Sequence, residues 1–166
     1  MPINMNGSHL ASNKQYDFQR QNNFECIIGD LGQDITLCVS KAFLPEVSLD
    51  VIEIPYFNGK AKMAGLSNFE AGSLEIRDAI GVDVEKKLYD WFKLGFDWET
   101  GKMSSASEYK KEISVIEYSG DGSISRTWTL KGCWISTFAP GELDYASGDL
   151  KVINLTIQYD QALRTS

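Results

Sequence analysis

Two stretches toward the C-terminal end carry the clearest alternation of apolar and polar positions. From Ile124 to Trp134, the residues Ile124, Trp128, Leu130 and Trp134 share one parity, and Ser125, Thr127, Thr129 and Lys131 hold the other. Successive side chains of a strand point to opposite faces, so this period-2 pattern predicts a half-buried strand. Arg126 and Gly132 interrupt the apolar parity, so that face is not uniformly dry. From Leu150 to Tyr159, Ile153, Leu155, Ile157 and Tyr159 alternate with Asn154, Thr156 and Gln158. Strands this two-sided require a sheet to join and a layer to cover it.

The preceding chain reads as further strands around one helix. Phe24, Cys26 and Ile28 predict a strand, and Gly29-Asp30-Leu31-Gly32 a turn. Ile35, Leu37 and Val39 alternate with Thr36, Cys38 and Ser40, which predicts the second arm of a hairpin ending at Leu44-Pro45. Extended structure resumes over Leu49–Ile54 and stops at Pro55. Tyr56 to Phe69 then reads as a long loop. A loop of that length that carries Tyr56, Phe57, Met63 and Leu66 is expected to touch a partner. A short strand around Leu74 and Ile76 precedes the one good helix. Asp83 is its expected N-cap, Val84, Leu88, Trp91 and Phe92 its apolar stripe, and Gly95 its stop. A polar loop from Trp98 to Glu108 leads to a strand over Tyr109–Tyr118. The Gly/Asp/Ser cluster Ser119–Ser123 then turns the chain into the Ile124 strand. Residues 1–23 are polar and aperiodic. They read as an arm, either free or laid on a partner through Tyr16, Phe18 and Arg20, ahead of a single domain over residues 24–166.

Composition narrows the function. A chain of 166 residues buries roughly 70% of its unfolded surface and needs no staple. Its net charge of −7 opposes strong binding to nucleic-acid phosphates. The three cysteines, Cys26, Cys38 and Cys133, and the single His9 do not make a zinc site. A Cys26–Cys38 disulfide is geometrically conceivable, and free core thiols are the simpler expectation. No apolar run approaches the ~18 residues of a membrane span. The N-terminus lacks the apolar centre of a signal peptide, so synthesis and folding in the cytoplasm are expected.

Candidate chemistry is sparse. His9 lies in the arm, away from any triad partner. Neither a G-x-S-x-G elbow nor a dinucleotide fingerprint occurs. Lys60 and Lys62 suggest phosphate binding but sit in no phosphate-loop sequence. Asp30, Asp34, Asp121 and Asp149 fall in no calcium loop. The carboxylates cluster at turns and helix starts, where solvated acids are the default. No enzyme activity and no cofactor are expected, and the sticky loop and polar arm point to an assembly component.

A set of motifs then carries a resemblance. Asn23-Phe24-Glu25, Leu44-Pro45, Glu53-Ile54-Pro55-Tyr56 with Asn58-x-Lys60 and Ala64-Gly65 come first. The helix around Trp91, Glu108-Tyr109-Lys110-Lys111, Leu130-Lys131-Gly132-Cys133-Trp134 and Pro140-Gly141-Glu142-Leu143-Asp144-Tyr145 follow in that order. The chain resembles the tail tube proteins of contractile-tailed, T-even-type bacteriophages over about Asn23 to Asp160. The resemblance implies a mainly β fold, a two-sheet sandwich or barrel with one flanking helix. It implies hexameric rings that join their sheets into an inner barrel and stack into a hollow tube. That tube lies within a contractile sheath, on a baseplate and below a tail terminator. Tape-measure protein and genomic DNA pass through the lumen. The place implied is the virion tail tube, assembled in the host cytoplasm.

On this reading Tyr56, Phe57, Asn58, Lys60, Lys62, Met63 and Leu66 are the expected ring-stacking residues, with Tyr16, Phe18 and Arg20 the arm contacts. Asn154, Thr156 and Gln158 are candidate lumen- or subunit-facing positions, and some of the surplus acids are expected along the lumen. A baseplate tube-initiator and a tube subunit of an injection or secretion system are the nearest alternatives. A monomeric ligand-binding β-barrel and a two-carboxylate hydrolase are the alternatives from other classes.

Overall fold

The computed structural model describes residues 18–165. Its most regular strand is the one the alternation predicts. Val152–Gln158 buries Ile153, Leu155 and Ile157 and turns Asn154, Thr156 and Gln158 outward. In chain order the strands are β1 (Phe24–Ile28), β2 (Val39–Lys41), β3 (Val47–Tyr56), β4 (Gly59–Phe69), β5 (Gly72–Arg77), β6 (Lys111–Tyr118), β7 (Ile124–Ala139), β8 (Val152–Gln158) and β9 (Gln161–Thr165). The helices are α1 (Gln33–Cys38), α2 (Val84–Gly95) and α3 (Ala106–Tyr109). All strand pairs are antiparallel.

Two sheets share β7. In one, the order is β1-β6-β7-β9; in the other, β7-β8-β5-β2. The first half of β7 pairs with β6 and β9, and its second half with β8. The chain changes sheet at Gly132, whose φ of 69° is open to glycine at little cost. Asp160, on the β8–β9 corner, donates its backbone N–H to Lys131 O at 3.0 Å. Its carboxylate receives Lys110 Nζ at 2.7 Å and occupies the space a side chain on residue 132 would need. The kink inverts the parity of β7. Leu130 is buried, but beyond Gly132 the core positions are Cys133 and Ile135. Trp134, expected on the Leu130 side, instead is half-buried and meets Tyr109 edge-on.

The space between the sheets is filled by side chains. Ile28, Leu74, Ile76, Ile113, Leu130, Ile153, Leu155 and Ile157 are all essentially inaccessible. Helix α2 closes one side against β7 with Val84, Leu88 and Trp91, and Trp91 Nε1 donates to Tyr109 O at 2.8 Å. Tyr89, Phe92, Trp98 and Phe138 form an aromatic seam along that contact. All three cysteines are free, so no Cys26–Cys38 bond forms. Burial pushes the Cys26 and Cys133 thiols up to about 12, which keeps them protonated at neutral pH.

The helices agree only in part with the sequence expectations. Gln33–Cys38 is helix α1, not a hairpin arm, and only β2 follows it, paired with β5. Three alternating apolar residues fit one helical turn as well as a strand; here Ile35 is buried and Leu37 is left exposed. Asp83 is the N-cap residue of α2, as expected, though without a side-chain cap hydrogen bond. It takes a left-handed conformation, with φ 48°, after a turn of 3-10 helix at Ile80–Val82. The expected polar loop before β6 contains α3, held by a capping box between Ser105 and Glu108. Strand β9, a five-residue edge, carries no alternation strong enough to predict it.

Candidate self-association surface

Tyr56 to Phe69 is not a loop. β3 and β4 form a two-stranded ribbon with its own register, from Val47↔Phe69 at the root to Tyr56↔Gly59 at the tip. At about 3.3 Å per residue it is roughly 35 Å long. Every residue of β3 is exposed, and on β4 only Gly65 and Phe69 are partly covered. An isolated hairpin is marginal in water, and this one is joined to a packed body at its root. Phe69 and Phe43 each lie 5.7 Å from the buried Tyr159 ring, and the Phe43 ring fills the space beside Gly72.

A bulge divides the ribbon. Between Leu49 and Val51 the β4 partner moves from Ser67 to Ala64, so β4 holds an extra residue there. Gly65 sits at this crowding, where a Cβ would stand 3.0 Å from Asp50 O. By alternation Val47, Leu49 and Val51 share one face near the root. Beyond the bulge the apolar face is the opposite one, with Ile52, Ile54 and Tyr56 beside Met63. The apolar surface therefore changes sides halfway along. The expected stacking residues divide accordingly. Tyr56 and Met63 lie on the apolar face of the outer half. Lys60 and Lys62 lie behind it with Glu53, which Lys60 Nζ meets at 2.7 Å. Leu66 sits at the bulge, 78% exposed.

The tip is unusual. Phe57 and Asn58 connect the strands, and Phe57 holds a positive φ of 50° while 92% exposed. A bulky residue at positive φ is disfavoured where glycine or asparagine would be comfortable. Tyr56 packs edge-on against it, with ring centroids 4.6 Å apart. The strained backbone presents two aromatic rings to solvent at the point farthest from the root.

The other expected sites fall elsewhere. Asn154 pairs with Glu75 and Ala139, Thr156 with Ser73 and Thr137, and Gln158 with Trp134. They lie on the outer face of the β7-β8-β5-β2 sheet, a wall of hydroxyl and amide groups. Its one acid along β5 and β8, Glu75, is paired with Lys41 at 3.2 Å. The surplus acids are not concentrated on this face. Of the arm residues, Tyr16 lies outside the described residues. Phe18 and Arg20 are exposed, and between them Gln19 Nε2 donates to Tyr118 O at 2.8 Å. A cleft between the β1 and β2 edges is lined by Glu25, Leu37, Leu44 and Arg77, outside the packed interior.

Comparison with known proteins agrees with this architecture. Residues 43–162 match the family model of the T4-like virus tail tube protein gp19. The chain is 27% identical over 150 residues to the tail tube protein gp19 of Enterobacteria phage T4, which covers 87% of this chain and 90% of that one. The gp19 of Enterobacteria phage T6 matches to the same extent. Among solved structures, the sheath-tube complex of an extracellular contractile injection system superposes with a TM-score of 0.71 at 19% identity. That match covers 98% of this chain and 99% of the other. The tube-terminating cap of the anti-feeding prophage gives 0.72 at 16% identity, over 90% and 91%. These last two show a shared fold. The family match spans most of the sandwich and the whole ribbon, and this chain belongs to the T4-like virus tail tube protein family, structural subunits of the contractile phage tail tube.

Proposed function

We propose that this chain closes into hexameric rings that stack into the inner tube of a contractile tail, and that the β3–β4 ribbon makes the ring-to-ring contact. The observation that carries this is the ribbon itself: about twenty residues of ordered, amphipathic strand left almost wholly exposed by the rest of the described residues. Tyr56, Phe57, Asn58, Met63 and Leu66 supply the buried area, and Lys60 and Lys62 its charged margin. Burial at roughly 25 cal/mol per Å² makes such a surface a strong driver of association. The change of apolar face at the bulge supports contacts on two sides, one near the root and one near the tip. The role is structural, without catalysis or cofactor. Asn154, Thr156 and Gln158 form the channel wall. On this face Lys41 is paired with Glu75, and Arg77 at the end of β5 is a further exposed cation, so the wall offers phosphates few cationic contacts rather than a repelling field. Genomic DNA and a tape-measure protein pass along it. Sheath, baseplate and terminator proteins bind around the tube, since the structural neighbours come from sheath-tube, cap and baseplate assemblies. Residues 1–23 act as an arm ahead of the single domain and add contacts between copies.

The test is the double variant Met63→Ser/Leu66→Ser. It is expected to give a folded chain that no longer forms tubes in electron micrographs, alone or in particles. Tubes of normal length from that variant would refute the ribbon's role.

A further inference from the structure

The ribbon and a second exposed apolar surface lie at opposite ends of the same strands. β5 and β8 run antiparallel from Gly72↔Ile157 to Arg77↔Val152. The ribbon root, with Phe69 against Tyr159, stands beyond the Gly72 end. Beyond the Arg77 end lie the β7–β8 connection, Gly141–Leu150, and the start of the short 3-10 turn at Ile80. Asp78 N–H donates to Lys151 O at 3.1 Å and ties the two together.

Every residue from Gly141 to Leu150 is exposed, yet the loop is shaped by its own hydrogen bonds. Asp144 Oδ1 accepts from Ala146 N–H at 2.9 Å, and Asp149 Oδ2 accepts from Ser147 Oγ at 3.3 Å. Gly141 approaches Val152 O so closely that a side chain there would collide with it. An ordered loop of this kind holds Leu143, Tyr145 and Leu150 out at 88%, 111% and 72% exposure, beside Ile80 at 96%. Glu142, Asp144 and Asp149 lie among them, and none pairs with a cation among the described residues.

We propose that this end of the sandwich is the seat for the ribbon tip of a second copy of the chain. The inference rests on the tube reading and adds the receiving surface to it. Tyr56 and Phe57 meet Leu143 and Tyr145, and Lys62, which has no ion pair among the described residues, meets the acids of the loop. The two surfaces are complementary in both apolar character and charge. Because they are different patches at opposite ends, the contact is heterologous and each joined copy still offers a free ribbon and a free seat. That is the geometry needed for growth along an axis.

Charge exchange tests the pairing. Lys60→Glu/Lys62→Glu is expected to reduce the polymerised fraction by about tenfold or more, since like charges brought together cost more than ~1.4 kcal/mol. Glu142→Lys/Asp149→Lys, which leaves the turn residue Asp144 intact, is expected to do the same. The variant with all four changes is expected to recover, as judged by sedimentation and electron microscopy. As an independent readout, Gly59→Cys and Ala146→Cys chains, each also Cys38→Ser and each keeping the aromatic contacts, are mixed and oxidised in assembled tubes. A disulfide joining the two different chains is expected. Failure of both the recovery and the crosslink, with wild-type tubes still forming, would place the seat elsewhere and leave the tube reading standing. A wild-type chain that stays monomeric at every concentration and enters no particle would remove both.

Discussion

The sandwich body and the ribbon are built from the same residue types and treat them in opposite ways. In the body, Ile153, Leu155 and Ile157 are sealed between two sheets by residues of the same chain. In the ribbon, Ile52 and Ile54 on equally regular strands remain 51% and 44% exposed. Local pairing explains both shapes, but only the body is covered by its own chain. Apolar residues in the body therefore serve stability, and those in the ribbon are left open for the association proposed above. A single alternation rule does not distinguish the two roles; what lies opposite each face does.

The largest effect should come from breaking the body. Leu155→Ala is expected to cost about 2–5 kcal/mol, read as a lower denaturant midpoint. Ile54→Ser should shift the same midpoint by less than about 0.5 kcal/mol while lowering assembly. Equal destabilisation by both would mean that the ribbon is part of the folding unit, and the contrast would collapse. Gly72→Ala tests the joint between the regions. A Cβ there would fall 2.0 Å from the Phe43 ring, so about 1–3 kcal/mol of overpacking is expected, with the ribbon root loosened in hydrogen exchange. Phe57→Gly sharpens the contrast at the tip. Relief of the positive φ should leave the monomer unchanged or up to about 1 kcal/mol more stable, while tube formation falls. The smallest effect concerns Asp30, whose carboxyl the hydrogen bond from Lys111 holds below the ordinary range. Because the folded value is depressed, its contribution is present above the unfolded value and fades as pH falls through the folded one. Asp30→Asn should flatten a slight part of the acid-side loss, measured by urea unfolding at a series of pH values.

The strands of the body were legible where both neighbours and cover are regular. β8 could be read residue by residue, because it is flanked on both sides and packed on one face. β7 could be read as far as Leu130. Past Gly132 the parity rule points to Trp134, while the kink hands the core to Cys133 and Ile135. Gly132 itself was the available signal, since a glycine inside an alternating strand marks a bend or bulge. Leu49–Ile54 in β3 was legible as extended, but Pro55 did not end the strand, and β4 resisted reading as a strand for a related reason. The ribbon's apolar positions change face at the bulge beside Gly65, so no single alternation runs its length. Its reading as a surface made for contact came from its exposed aromatics, not from its periodicity. Leu143 and Tyr145 lie in a motif that by itself assigns them no role. Only the geometry, which sets them at the far end of β5 and β8 from the ribbon root, gives them one.

The Gly132–Asp160 corner has a mechanical consequence. The corner gives any load a covalent path between the two sheets of the subunit. Here the load does not depend on side chains sliding against one another. β7 crosses from sheet to sheet as unbroken backbone, and the β8–β9 segment crosses beside it in the opposite direction. The hydrogen bond from Asp160 to Lys131 rivets the two crossings together. Force entering one sheet is shared by two covalent struts before any core contact has to yield.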